Sequence, residues 1–96
     1  MERLISREKK VSGGKLVRVE VGVRDHVITF VSISGDFFVI PEDFIERLES
    51  SIIGLSADCK VVSKHIRNFF SQAEVDLLGF TVEDLIDIFC DILSGV

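Results

Sequence analysis

The sequence predicts an α+β domain: a small antiparallel sheet of two to three strands, followed by about three helices packed on it. Val17, Val19, Val21 and Val23 alternate with Arg18, Glu20 and Gly22, the period of two that marks a strand with one buried face. A second run rich in β-branched and aromatic residues, Val27 to Ser34, follows a short link at Arg24-Asp25-His26, and so short a link favours an antiparallel hairpin. Beyond Pro41 the apolar residues change to helical spacing. Strands first and helices after argue against a parallel βαβ fold.

In chain order, residues 1–12 read as a polar, partly flexible lead-in with room for one helical turn, and Gly13-Gly14 as a flexible break. After the hairpin, Gly35-Asp36 interrupts the second strand, and Phe37 to Ile40 forms a short third extended piece. Pro41, the chain's only proline, suits the first position of a helix. Glu42 and Asp43 then fall in its first turn, where the helix dipole favours negative charge. Phe44, Ile45, Leu48, Ile52 and Leu55 make its apolar face, with Gly54 as the C-terminal cap. Ser56 is expected to cap a second helix whose inner face is Val61, Val62, Ile66, Phe69 and Phe70. Val75 to Phe80 is a short extended segment or a loop. Thr81 caps a third helix, with Glu83 and Asp84 in the first turn and Val82, Leu85, Ile88, Phe89 and Ile92 facing inward. Residues 1–96 make one domain with no internal repeat.

Composition narrows the function. The 96 residues carry a net charge of -5 and are 47% hydrophobic. The negative balance argues against a nucleic-acid binder, which needs a basic face. The apolar fraction is high for so short a chain, so some of it is expected to be covered by a partner. Charge is unevenly spread. Arg3, Arg7, Lys9, Lys10, Lys15, Arg18 and Arg24 outweigh Glu2, Glu8 and Glu20 in the first quarter, and acidic residues dominate from Asp36 onward. That basic stretch reads as a solvated tail or as a face toward an anionic ligand or acidic partner. No apolar run approaches the ~20 residues that span a bilayer. Leu4-Ile5 is followed at once by polar residues, unlike a signal peptide. A cytoplasmic location and no membrane association are therefore expected. Cys59 and Cys90 lie in helical patterns without a CxxC or a nearby histidine, so they are expected to be reduced core thiols.

Few side chains suggest chemistry. His26 and His65 fall in different elements, and no pair of residues has metal-ligand spacing. Glu42, Glu46 and Glu49 recur at i, i+4 and i+7, a solvated helix face rather than an acid–base pair. Gly13-Gly14-Lys15 lets the backbone approach a phosphate and supplies a charge, but it lacks the GxxxxGK[ST] pattern and does not follow a strand; on the residues alone a flexible entry to the first strand is the favoured reading. Gly35-Asp36-Phe37-Phe38 is the odd local feature. Adjacent phenylalanines in an extended segment point to opposite faces, so one enters the core and the other needs cover elsewhere. That segment is either a structured corner, with Asp36 bonding local backbone, or an anchor for a partner or ligand.

Several segments together resemble a known family. Gly14-Lys15-Leu16-Val17-Arg18-Val19, the hairpin, Ile33-Ser34-Gly35-Asp36-Phe37-Phe38, Pro41-Glu42, Ile52-Ile53-Gly54-Leu55 and Leu78-Gly79-Phe80-Thr81-Val82-Glu83-Asp84-Leu85 are similar in order and spacing to the C-terminal accessory domain of lipoate–protein ligases. The likeness runs from about residue 8 to residue 93. In that family, as the resemblance implies, a larger catalytic part binds ATP, Mg and lipoate, forms lipoyl-adenylate, and passes the lipoyl group to a lysine of an acceptor domain. The catalytic part's arginine-pair, glycine-run and lysine motifs do not occur here. The resemblance thus implies a stand-alone accessory subunit, with no cofactor of its own, that works as a heterodimer with the catalytic subunit and meets the acceptor domain only indirectly. Gly13, Gly14, Lys15, Gly35, Asp36, Phe37 and Phe38 become the candidate binding or interface residues, with Lys15 a candidate phosphate stabiliser. Two other readings compete: a sulfur-transfer or iron–sulfur scaffold, which needs an exposed reactive cysteine, and an interaction module unrelated to lipoate.

Overall fold

Four valines at alternate positions decide where the sheet buries its face. The computed structural model describes residues 2–11, 13 and 15–96. Strand β2 (Leu16–Arg24) turns Val17, Val19, Val21 and Val23 into the core, and β3 (Val27–Gly35) pairs with it antiparallel. Asp25 and His26 join them, both at positive φ (53° and 64°), as a two-residue hairpin of matching twist requires. The register shifts between Gly22 and Val23, so Thr29 is extra on β3. This bulge lets Ile28 and Val31, three apart, both face inward.

The first strand corrects the expected polar lead-in. Strand β1 (Arg3–Lys10) pairs antiparallel with β2 along its whole length, making the order β1-β2-β3. Arg3, Ile5, Arg7 and Lys9 stand opposite the four valines and share their face. Only Ile5 among them is apolar, which is why no alternation is visible. Arg7 and Lys9 reach instead to the last helix, α3 (Val82–Leu93). Lys9 Nζ lies 3.2 Å from Asp87 and 3.4 Å from Asp84, and Arg7 Nε lies 3.4 Å from Asp91. The uneven charge of the sequence is largely this contact between a basic strand and an acidic helix.

Helix α1 (Phe44–Ile52) packs on β3, α3 packs on β1 and β2, and α2 (Cys59–Ser71) packs against both other helices. Phe44, Leu48, Ile52, Val62, Ile66, Leu85, Phe89 and Ile92 complete the core. Val61, expected inside, is exposed, whereas Ile86 and Leu93 are buried. The helix expected at Pro41 starts three residues later. Ile40 is still paired in a strand, its bond to Pro41 is cis, and Asp43 is the N-cap. Ser56 does not cap α2. Residues 54–57 run beside the start of β3 instead, with Ile28 N–H donating to the Leu55 carbonyl at 2.9 Å, and Asp58 takes the cap. Gly54 does follow the end of α1, and Thr81 caps α3 in a reciprocal box with Asp84.

The cysteines overturn their expectation. Cys59 opens α2 and Cys90 lies in the last turn of α3, and where those helices pack the two residues form a disulfide with Cα atoms 4.8 Å apart. That separation suits a bridge. Nothing in the local pattern around either residue signals it, because the adjacency is created by helix packing.

Candidate functional site

Two short strands form a ribbon outside the main sheet. Strand β4 (Phe38–Ile40) pairs antiparallel with β5 (Asp76–Leu78), in register Phe38 to Leu78, Val39 to Leu77 and Ile40 to Asp76. Side chains alternate across such a ribbon. Val39 and Leu77 turn inward against the core. Phe38, Ile40 and Leu78 turn outward and are 75%, 61% and 65% exposed. An outward face made of three large apolar residues is the clearest uncovered apolar surface of the chain.

Two glycines hold the ribbon in place. Gly35 has φ +146°, and a Cβ there would stand 2.1 Å from the Leu16 carbonyl oxygen. Only glycine lets β3 pass so close before the chain leaves for the ribbon. Asp36 N–H then donates to the same carbonyl at 2.8 Å. Gly79, φ +115°, closes the other end, where a Cβ would press on Asp36 and Phe37. Phe37 turns inward and meets Phe80 edge-on, ring centroids 4.9 Å apart. The expected split of the two phenylalanines is therefore present, with Phe37 half-buried and Phe38 outside.

Beside the ribbon lies an open groove of about 520 Å³, lined by Lys15, Gly35, Asp36, Phe38, Leu78 and Gly79. It gathers five of the seven candidate residues, since Phe37 also lines it. Gly13 is described but does not line the groove, and Gly14 lies outside the described residues. Asp36 works through its backbone; its carboxylate makes no hydrogen bond among the described residues. Ile40, Leu78 and Gly79 were not singled out from the sequence. The signal available for them was the alternation of Phe38 and Ile40 across Val39, but their partner strand is remote in sequence.

The other side chains with chemical potential are placed elsewhere. His26 is exposed at the hairpin. His65 Nε2 lies 2.8 Å from Ser51 Oγ, and since that hydroxyl donates to the Leu48 carbonyl, the ring nitrogen donates to it, tying α2 to α1. No three His, Cys, Asp or Glu side chains converge among the described residues. With Cys59 and Cys90 bonded to each other, neither offers the thiol that a sulfur-transfer scaffold requires.

The described residues thus present an outward apolar ribbon and no convergent set of His, Cys, Asp or Glu side chains. A family model described as the C-terminus of bacterial lipoate protein ligase matches residues 2–89, and the chain belongs to that family. Its sequence is 36% identical over 86 residues to lipoate-protein ligase A subunit 2 of Thermoplasma acidophilum, which covers 90% of this chain and 87% of that protein. Its structure matches, with a TM-score of 0.80 and 35% identity, a chain from a structural study of an archaeal lipoylation system, a bi-partite lipoate protein ligase and its E2 lipoyl domain from Thermoplasma acidophilum. That match covers 93% of this chain and 97% of the other.

Proposed function

We propose that this chain is the small accessory subunit of a two-part lipoate–protein ligase. The observation that carries this is the near end-to-end match with a relative that is itself named as a second subunit. The outward Phe38, Ile40 and Leu78 supply the docking face for a larger catalytic subunit, and the pair is needed for ATP-dependent activation of lipoate ahead of transfer to the acceptor domain.

In this reading ATP, Mg and lipoate are held by the catalytic subunit. The chain's own groove suits none of them alone. It offers one ammonium, Lys15, beside one carboxylate, Asp36, with no excess positive charge for a triphosphate. Lys15 contributes across the interface, its Nζ adding positive charge where phosphate charge develops during adenylation. The docked ribbon covers its partner's activation site and keeps water from the mixed anhydride. The same proposal places the chain in the cytoplasm. No helix among the described residues is long and apolar enough to cross a membrane. The Cys59–Cys90 bridge runs against that location in a mesophile, whose cytosol keeps thiols reduced.

Reconstitution tests the proposal. The chain is mixed with the larger ligase subunit of its own source, ATP, Mg, lipoate and an apo acceptor domain, and pyrophosphate release and acceptor mass are followed. Pyrophosphate and a lipoyl mass increment that need both chains support it. A larger subunit fully active alone, with no binding of this chain, ends it. Unchanged adenylation with Lys15→Ala removes the phosphate role and leaves the docking role standing.

A further inference from the structure

A second groove adjoins the ribbon at β4. It lies between β4 and α1, holds about 460 Å³, and has Ile33, Val39 and Ile45 on its floor. Phe37 and Phe38 line both grooves, and of the two Phe38 is the exposed one. The floor residues are buried, so the wall decides what fits. That wall is acidic: Glu42, Glu46 and Glu49.

Several other carboxylates of the chain are held by cations, whereas Glu42 and Glu46, like Glu20, Asp36 and Asp76, have no such partner among the described residues. Asp43 faces Arg47, Glu83 pairs with Arg67, Asp91 with Arg7, and Asp84 and Asp87 share Lys9. Glu49 accepts the Ile33 N–H. Glu42 and Glu46 are exposed and make no ion pair or hydrogen bond among the described residues. The cation on the same helix, Arg47, is already engaged by Asp43 and by the face of Phe44. The groove thus joins the exposed Phe38 to two carboxylates without a side-chain partner near the N-terminal end of α1, within a chain whose net charge is -5.

We propose that this groove receives a segment of the catalytic ligase subunit in which lysine or arginine flanks an apolar side chain. The apolar residue packs against Phe38, and the cations face Glu42 and Glu46. This rests on the accessory-subunit reading and adds the chemistry of the partner surface. Charge complementarity argues for a basic segment, because an acidic or neutral one would leave the two carboxylates beside a partially desolvated contact without compensation. It also orients the complex. Lys15 shares the first groove with Asp36, which balances its charge, so the net charge of the docking face lies at its acidic edge beside α1.

Calorimetric titration of this chain into the larger ligase subunit, at about 50 and about 300 mM NaCl, tests the inference. Glu42→Lys combined with Glu46→Lys is compared with wild type and with Phe38→Ala, and circular dichroism confirms that each variant is folded. Expected are a wild-type affinity that weakens with salt, and a double reversal that binds at least about tenfold more weakly at low salt with a flattened salt dependence. Phe38→Ala weakens binding but keeps the wild-type salt dependence. If Phe38→Ala weakens binding while the double reversal stays within about twofold of wild type, the basic segment is refuted and the accessory role survives. If wild type does not bind the larger subunit at all, both fall together.

Discussion

The Glu49 carboxylate of α1 accepts a hydrogen bond from the backbone N–H of Ile33, with Oε2 2.6 Å from the nitrogen. Ile33 is buried on β3, whose outer edge has no strand partner at that point. An edge N–H pointing at packed side chains needs an acceptor, and an ionised one bonds it most strongly. Glu49 therefore closes the sheet edge and locks α1 to β3. Glu49→Ala is expected to lower the unfolding free energy by about 1–3 kcal/mol, measured by urea denaturation, while Glu49→Gln, which keeps an acceptor, retains most of it. Equal stability of all three proteins would mean the bond is not made in solution.

Glu49 also shows why the sequence was only partly legible. Its helical spacing with Glu42 and Glu46 reads as one solvated face, and periodicity cannot distinguish a carboxylate facing water from one facing a sheet edge. The elements read well wherever apolar side chains carry the period, as in the valines of β2, the Leu48–Ile52 face of α1 and the Leu85–Phe89–Ile92 face of α3. Strand β1 was hidden because Arg7 and Lys9 occupy inward positions and are satisfied by carboxylates of α3. Within the site, the split of Phe37 and Phe38 follows from backbone alternation alone and was foreseeable. The pairing of Phe38 with Leu78 was not, since it depends on where α1 and α2 return the chain.

The disulfide closes a long loop, and its contribution follows from that length. Cys59 and Cys90 are 31 residues apart. In the chain-entropy picture such a link removes about 3–4 kcal/mol of freedom from the unfolded state. Dithiothreitol, or Cys90→Ser, is expected to lower the melting temperature by more than about 10 °C, read by circular dichroism. Intact mass after alkylation reports whether the bridge was present beforehand. A bridge seen by mass with no change in melting on reduction would show that packing of α2 on α3 alone holds the helices.

The start of α3 should give the chain a definite acid response. Burial works to raise the Asp84 carboxyl, but its hydrogen bonds with Thr81 and the Lys9 ammonium hold it below the ordinary 3.8. A carboxyl depressed in the folded state contributes stability that is complete above 3.8 and is lost as pH falls through its lower folded value. Lys9 moves the other way. It is raised above 10.5, chiefly by Asp87, so its contribution is complete below 10.5 and is lost as pH rises through the higher folded value. Thr81→Ala is expected to cost about 1 kcal/mol near neutral pH and to shrink the loss of stability on acidification. Denaturant titrations at several pH values between about 2 and 7 check both effects. A variant with the full wild-type acid slope would place that slope on other carboxylates.

Phe38 and Leu78 should separate folding from association. They face each other across the ribbon and are mostly exposed, so either change to alanine removes little that the isolated chain buries. Each is expected to cost under about 1 kcal/mol of stability, the scale of one cross-strand pair. If the ribbon is the docking face, each should cost about 1–2 kcal/mol or more of association with the larger subunit, as apolar anchors at the centre of an interface do. Because the two side chains are neighbours, their combined effect should depart from the sum of the singles, whereas either one paired with a change on β1 should add. Melting curves and calorimetric binding on the same samples decide this. Full binding by the doubly substituted protein would move the docking face away from the ribbon, and the outer surface of the three-stranded sheet would be the next to substitute.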